Sequence, residues 1–270
     1  MGAQFDWDFF WEHLLRPDAP FLEGFVRTIY ISILAMVLAT VVGLGVALLT
    51  GSRHWVLRFL GGVYVWVIRG TPLLVQLVII YLGLAASGIY TFNDVHVFGL
   101  NVRGVIQAAV VTLVIHESAY ISEIIRAGIQ SVPKGQTEAG LSLGLSRWAV
   151  MRSIILPQAL RFMVPPLGNT FNGLMKATSI LSIIGVSDMF LVAQSISSTT
   201  FRTFEIFIVA ALYYLLLTTV WTFIQGRMEA RLDAMVGIDR RAARRFPGRR
   251  GRPGAITAPA VVAAVPNDAR

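Results

Sequence analysis

Apolar residues in this chain gather into long runs, with the polar residues collected between them. The first run covers residues 25–50. A second, 55–86, is longer than one crossing requires and is interrupted by Arg69-Gly70-Thr71-Pro72. Three more cover 105–126, 162–184 and 206–224. At 1.5 Å per residue, about 20 residues cross a hydrocarbon layer ~30 Å thick. The pattern therefore predicts an all-α integral membrane protein with about five transmembrane helices.

The interruptions carry further expectations. Proline removes a backbone donor and biases the residue before it away from helix, so the second run is expected to have a helical lead-in, a break at Arg69-Gly70-Thr71-Pro72 and a span near 71–86. In the first run Ala35, Ala39, Gly43, Gly45 and Ala47 are small enough to let another helix approach closely. The third run holds His116, Glu117 and Tyr120 near its midpoint, and Glu123 and Arg126 near its inner end. Ionisable groups at that depth cost at least about 2.5–3.5 kcal/mol unless paired or hydrated. Glu123 and Arg126 are three apart and expected to pair, while Glu117 and Tyr120 are expected to share a face on a transport pathway. The fourth run contains Pro165-Pro166 and a polar stripe of Asn169, Asn172 and Lys176. That predicts a kinked outer half that lines the same pathway. A carboxylate at Glu117 and an ammonium at Lys176 would suit a zwitterion. Arg69 reads equally well as a snorkelling anchor or as part of a gate.

Composition agrees with a membrane location. The 270 residues are 55% hydrophobic and 14% charged, against roughly 25% charged in an average soluble domain. The first 20 residues hold five aromatics and four acids, which predicts no cleaved leader. Residues 1–23 are expected to form an interfacial segment anchored by Trp7, Phe9, Phe10 and Trp11. Residues 87–103 and 185–204 read as connections on one side, and 127–161 on the other. With the N-terminus outside and the C-terminus in the cytoplasm, 18 of the 23 basic residues fall in cytoplasmic segments, as the positive-inside rule requires. Domain bounds follow: 1–23, a transmembrane domain 24–237, and a basic tail 238–270 that is expected to be disordered and to contact lipid headgroups. The asymmetry accounts for the net charge of +8 without a nucleic-acid partner.

Several chemistries are excluded. The chain has no cysteine, hence no disulfide or thiolate nucleophile. No G-x-x-x-x-G-K-[ST] loop occurs, so ATP hydrolysis is not expected in this chain. His13, His54, His96 and His116 are scattered over different segments, and no metal site is expected. Nothing supports an enzyme.

The remaining polar segment is the most patterned. Gln136 and Thr137 precede Glu138, Ala139 and Gly140; Gly144 follows after three residues, Ile154 after nine more, then Leu156-Pro157 after one. A short helix over 137–143, a stop at Gly144 and a second helix from about Ser146 are predicted. This spacing resembles the cytoplasmic coupling loop of permease subunits in binding-protein-dependent ABC importers, with Gly140 standing where that pattern usually has a second alanine. The RGTPLL stretch from Arg69, the AYISEIIRAGI stretch from Ala119 and the KATSILSIIGVSD stretch from Lys176 resemble segments of the polar amino-acid (histidine/glutamine/arginine-type) group of these importers. The resemblance covers most of 24–237.

It implies a multi-pass permease of the bacterial inner membrane that carries a polar amino acid or similar small zwitterion. The implied partners are a second permease copy or paralogue, two cytoplasmic ATPase subunits holding ATP and Mg, an extracytoplasmic solute-binding protein and the lipid bilayer. The coupling set would be Gln136, Glu138, Ala139, Gly140, Gly144, Ile154, Leu156 and Pro157. The pathway would be Glu117, Tyr120, Asn169, Asn172 and Lys176, with Arg69, Gly70, Thr71, Pro72, Glu123 and Arg126 in gating or structural roles. A stand-alone secondary transporter or channel-like membrane protein is the alternative; such transporters often show an internal repeat, and no clear repeat is present.

Overall fold

The computed structural model describes residues 5–97 and 99–235. Three helices are each long and apolar enough to cross a membrane: α2 (Ala19–Thr50), α6 (Gly104–Gln130) and α11, which crosses over Thr203–Ala234 within Thr203–Met235. Two bent pairs bring the number to five. In one, α3 (Trp55–Arg69) meets Leu73–Ala86 at 104°. The latter segment is α4 (Leu73–Val78), a π-helical turn (Ile79–Gly83) and α5 (Leu84–Ala86). In the other, a helical stretch from Arg147 to Ile184 meets α10 (Met189–Thr200) at 52°. The remaining elements are α1 (Trp7–Leu15), a hairpin of β1 (Val95–Val97) and β2 (Leu100–Val102), and α7 (Lys134–Ser142). The stretch from Arg147 comprises α8 (Arg147–Val150), a π-helical turn (Met151–Ile155), α9 (Leu156–Ala177) and a 3₁₀ turn (Thr178–Ile184).

Packing in α2 follows membrane rather than soluble rules. Its buried residues are mostly small, Gly24, Thr28, Ser32, Ala35, Ala39 and Gly43, while Val37, Val41 and Leu48 are exposed. Lipid is as apolar as leucine, so close backbone approach holds the helices together. At Gly43 a β-carbon would lie 2.9 Å from Ile121 Cγ2 and 3.0 Å from Ser118 O, so the α2 backbone lies directly against α6 there. Gly45, expected in the same contact, has nothing within 4 Å. The hydroxyls of Thr28, Ser32, Thr112, Ser118 and Ser122 are buried; Ser32, Thr112 and Ser122 donate back to carbonyls of their own helices, which removes the cost of bare polar groups in an apolar layer.

Four expectations are corrected. Residues 185–204 are not an open connection: Asp188 Oδ1 accepts from Leu191 N–H at 2.9 Å and caps α10, which buries Met189 and Ala193 against Phe21, Ile206 and Val209. The bend of the fourth span lies at this junction, where Gly185 has φ +85°, and not at Pro165-Pro166, which stay inside α9. The carbonyls around the prolines find donors on α11, as Gln225 Nε2 donates to Pro165 O at 3.2 Å and Trp221 Nε1 to Gly168 O at 2.8 Å. The 87–103 connection contains a two-stranded hairpin. The N-terminal segment is more than an anchor: Trp7 and Trp11 are exposed, but Phe10 is buried in the cluster with Phe21 and Ile206. Asp6 pairs with Arg202 at 2.9 Å, and its N–H donates to Glu205. The 238–270 tail lies outside the described residues.

The N-terminal ends of α2 and α11 thus meet α1 and α10, and the opposite end of the bundle carries α7 and α8. At that hook end Arg161 Nε donates to the buried Asp233 carboxylate at 2.8 Å, tying the entry of α9 to the end of α11. The sequence reading missed this pair because its members are 72 residues apart.

Candidate functional site: a coupling hook and a broken helix

The hook is built between α6 and α9. Pro133 opens α7, and its fixed φ suits a helix start. The helix ends at Leu143, and Gly144 then adopts φ +79°, a left-handed conformation that glycine reaches without steric cost. Gly144 N–H donates to Leu141 O at 3.0 Å and Leu145 N–H to Gly140 O at 3.2 Å, closing the turn. Ser146 then caps α8, its Oγ accepting from Ala149 N–H at 3.2 Å. The turn Met151–Ile155, where Leu156 N–H reaches back to Met151 O, precedes Pro157, so the helix passes the proline without a break. Both predicted hook helices are present.

Gly140 is buried against the second arm. A β-carbon there would sit 2.9 Å from both Ile154 Cδ1 and Val150 Cγ2. The departure from alanine at this position therefore matches a tighter closure of α7 on α8 and the turn after it. Gly140→Ala is expected to lower stability by about 1–3 kcal/mol through overpacking, and adding Ile154→Val, which deletes Cδ1 and leaves Val150 Cγ2 in place, should recover part of it. Thermal unfolding of the single and double variants checks this.

The rest of the hook faces outward. Gln136 and Glu138 are exposed, and the Glu138 carboxylate has no hydrogen-bond or ion-pair partner among the described residues. Leu143 is 81% and Trp148 71% exposed. An apolar tip flanked by a free carboxylate is the composition of a surface that another protein covers.

Within the bundle, the polar residues divide into three groups. Glu117 is buried on the same stripe of α6 as Leu113 and Ile121, one turn to either side, with no hydrogen-bond partner among the described residues. Asn172 and Lys176 lie on the other flank of α9, lining a groove of about 410 Å³ with Thr218, Thr219 and Thr222 of α11; Asn169 is exposed. Glu117 and Lys176, expected on one pathway, thus stand at different places in the bundle, one on the buried stripe of α6 and the other in the α9–α11 groove. Tyr120 does not join Glu117 either. Its ring lies 5.2 Å from that of His116, on the side facing α3 and α4.

That side holds the best-connected polar cluster. The break between α3 and α4 frees carbonyls that Gln76, itself buried, recaptures: its Nε2 donates to Ile68 O at 2.8 Å, Thr71 Oγ1 at 2.8 Å and Thr71 O at 3.2 Å. With the amide nitrogen so fixed, Oε1 must accept, and His116 Nδ1 donates to it at 3.0 Å. His116 is the thirteenth of 27 residues in α6, so the break packs beside the middle of that helix. Below it, Arg69 stands over Tyr120, 5.2 Å from guanidinium to ring centre, and 3.9 Å from Glu123 Oε2. Glu123 is held mainly by Arg126, at 2.6 and 3.1 Å, as the three-residue spacing predicted. Tyr64 of α3 adds a bond from its hydroxyl to Ile115 O at 2.9 Å. Gln76 and Tyr64 escaped the sequence reading; each is a single polar residue in an apolar run, and only the fold supplies its partner. Among the described residues no group of acidic or histidine side chains could hold a metal.

A family model described as the binding-protein-dependent transport system inner membrane component matches residues 39–234. The glutamine transport system permease protein GlnP of Escherichia coli K12 is 40% identical over 233 residues, which is 86% of this chain and all of the relative. The L-cystine transport system permease protein TcyB of Bacillus subtilis 168 is 38% identical over 228 residues, 84% of this chain and 92% of that one. Among solved structures, an amino acid ABC transporter with histidines superposes with a TM-score of 0.71 at 37% identity, covering 86% of this chain and all of the other. The methionine transporter MetNI, at 19% identity and a TM-score of 0.62, shares the fold. The hook, the five-span bundle and these likenesses agree: the chain belongs to the inner membrane components of binding-protein-dependent transport systems, as a multi-pass permease subunit.

Proposed function

We propose that this permease carries a polar amino acid, or a similarly small zwitterion, into the cytoplasm as one half of a permease pair. Its N-terminus lies outside and the hook in the cytoplasm. Two ATPase subunits, which hold the ATP and Mg, dock on the hooks, and a solute-binding protein delivers substrate at the opposite end. ATP-driven closure of the ATPases displaces the hook, and α6 and α9, which run directly out of it, carry the displacement into the membrane. The substrate assignment is supported by relatives that are described as glutamine and L-cystine permeases.

One observation carries the coupling reading: the segment joining α6 to α9 offers Leu143, Trp148 and an unpaired Glu138 to a partner while its own interior is closed around Gly140. In this reading Gln136, Glu138, Ala139 and Gly144 shape the docking side, and Gly140, Ile154, Leu156 and Pro157 fix its angle to α9. The experiment is purification of the tagged chain from its native membrane. An ATPase subunit and a second permease copy or paralogue should come with it. Glu138→Ala should retain insertion but lower uptake per ATP hydrolysed about tenfold, the scale of one charge-assisted hydrogen bond. Unchanged coupling in Glu138→Ala defeats its assigned role.

The pathway is supported by a separate argument. Gly70, Thr71 and Pro72 are exposed beside the middle of α6. Irregular backbone at that depth is tolerated only when covered by protein or facing a water-filled cavity. The face of the bundle made by the α3–α4 break and α6 is therefore the side on which substrate passes, and Tyr120, Arg69 and Glu123 lie on it. Asn169, Asn172 and Lys176 line the α9–α11 side, where a second copy can complete the enclosure.

A further inference from the structure

Arg69 is in an unusual position for a guanidinium. Its Cα ends α3 beside the exposed break, its side chain is 45% exposed, and it has no hydrogen bond among the described residues. It is held by the ring of Tyr120 and by a loose approach to Glu123 at 3.9 Å. A guanidinium above an aromatic ring is attracted by the ring face without using its five N–H donors. Local charge points the same way. Arg69 and Arg126 share one carboxylate, Glu123, and Arg126 takes both of its oxygens at hydrogen-bond distance. Among the described residues the cluster therefore holds two positive charges against one negative.

We infer that Arg69 binds the α-carboxylate of the transported amino acid through its free edge, and that Glu123, whose oxygens retain unused lone pairs, takes the α-ammonium. The inference rests on the amino-acid importer reading above and adds to it a subsite for the part that all amino acids share. The two charges of a zwitterion lie close enough together to bridge the Arg69–Glu123 gap. A planar, bidentate fork is the right partner for a carboxylate, and lysine would not replace it. Such a subsite reads the amino-acid backbone and ignores the side chain, which leaves selection among amino acids to other groups. The break supplies the opening through which the ligand reaches Arg69.

The chain has no cysteine, so Trp66→Cys gives a single reporter thiol at an exposed position of α3 one turn before Arg69. Vesicles containing the permease and its ATPase are first screened for uptake of the twenty amino acids in the presence of the solute-binding protein. The amino acid taken up fastest, and its α-amide, are then tested, with the binding protein omitted, for protection of the introduced thiol against a membrane-permeant maleimide. Protection by the amino acid at concentrations at least about tenfold below those needed for the amide is expected, the scale of one charge-assisted bond. That preference should vanish in Arg69→Gln and in Arg69→Lys, and Glu123→Gln should weaken protection by the amino acid and leave its N-acetyl derivative unaffected. Equal protection by amino acid and amide, or a preference that survives Arg69→Gln, overturns the subsite while leaving the importer reading intact. Absence of uptake for all twenty removes the importer reading and the subsite with it. If Arg69 merely props Glu123, Arg69→Gln changes ATPase activity or stability without changing the ratio of amino acid to amide, and that result also overturns the inference.

Discussion

Replacing Gly144 by aspartate is expected to lower substrate accumulation by tenfold or more while the chain still inserts and folds. The residue sits at φ +79°, where a side chain costs about 1–2 kcal/mol, equivalent to roughly a 5- to 30-fold change in an equilibrium constant. Space is not the limit, since a β-carbon there would have nothing within 4 Å; the penalty is conformational and confined to the turn. A loss of that size does not unfold a bundle held by α2, α6, α9 and α11, but it rotates Leu143, Leu145 and Trp148 away from the direction the turn gives them. Asparagine shares aspartate's relative tolerance of the left-handed region and adds no charge to the turn, so Gly144→Asn should fall between aspartate and wild type. Uptake and ATP hydrolysis measured on the same vesicles check this: hydrolysis persisting while uptake falls marks a hook that no longer transmits.

Gln76→Leu is expected to abolish most uptake and also to lower thermal stability. The substitution keeps the volume but leaves Ile68 O and Thr71 O without the donor that now lies at 2.8 and 3.2 Å, and leaves His116 without its acceptor. Each abandoned group costs about 1–3 kcal/mol when buried. The break would relieve this by moving, and Arg69, one residue before it, would move too. His116→Asn tests the other end of the link. The asparagine amide can stand where Nδ1 stands, so this variant should keep at least about half of wild-type uptake, whereas His116→Phe leaves the buried Gln76 Oε1 without its donor and should fall between His116→Asn and Gln76→Leu. Initial uptake rates and unfolding temperatures of the three variants decide it.

The parts of this fold that the sequence foretold are those governed by local rules. Run lengths announced the spans because lipid demands about 20 apolar residues whatever the neighbours. Gly144 announced the hook turn because its backbone conformation is a property of one residue. The Glu123–Arg126 pair followed from helical spacing. What escaped depended on distant partners. The helix α10 reads as a serine- and threonine-rich connection, and only burial of Met189 and Ala193 against α2 and α11 makes it a helix in place. Pro165-Pro166 signalled a kink, yet α9 runs through both, packed on α11 by bonds from Gln225 to Pro165 O and from Trp221 to Gly168 O that no local pattern announces. Glu117 and Lys176 were assigned to one pathway on chemical grounds. The rotation of α6 and α9 about their axes, which no single-helix pattern determines, sends them to different places. Arg69 was recognised as notable, but its lack of hydrogen bonds became visible only when Tyr120 and Glu123 were placed around it.

The central claim is that this chain moves its substrate only when ATP is hydrolysed on a partner seated on the hook. It is tested most directly by amino-acid accumulation in vesicles that contain the purified permease with its ATPase, with ATP inside and the solute-binding protein outside. The account predicts accumulation that requires all three and stops when ATP is replaced by a non-hydrolysable analogue. Accumulation by the permease alone, driven by a proton or sodium gradient, would contradict it and identify a secondary transporter instead.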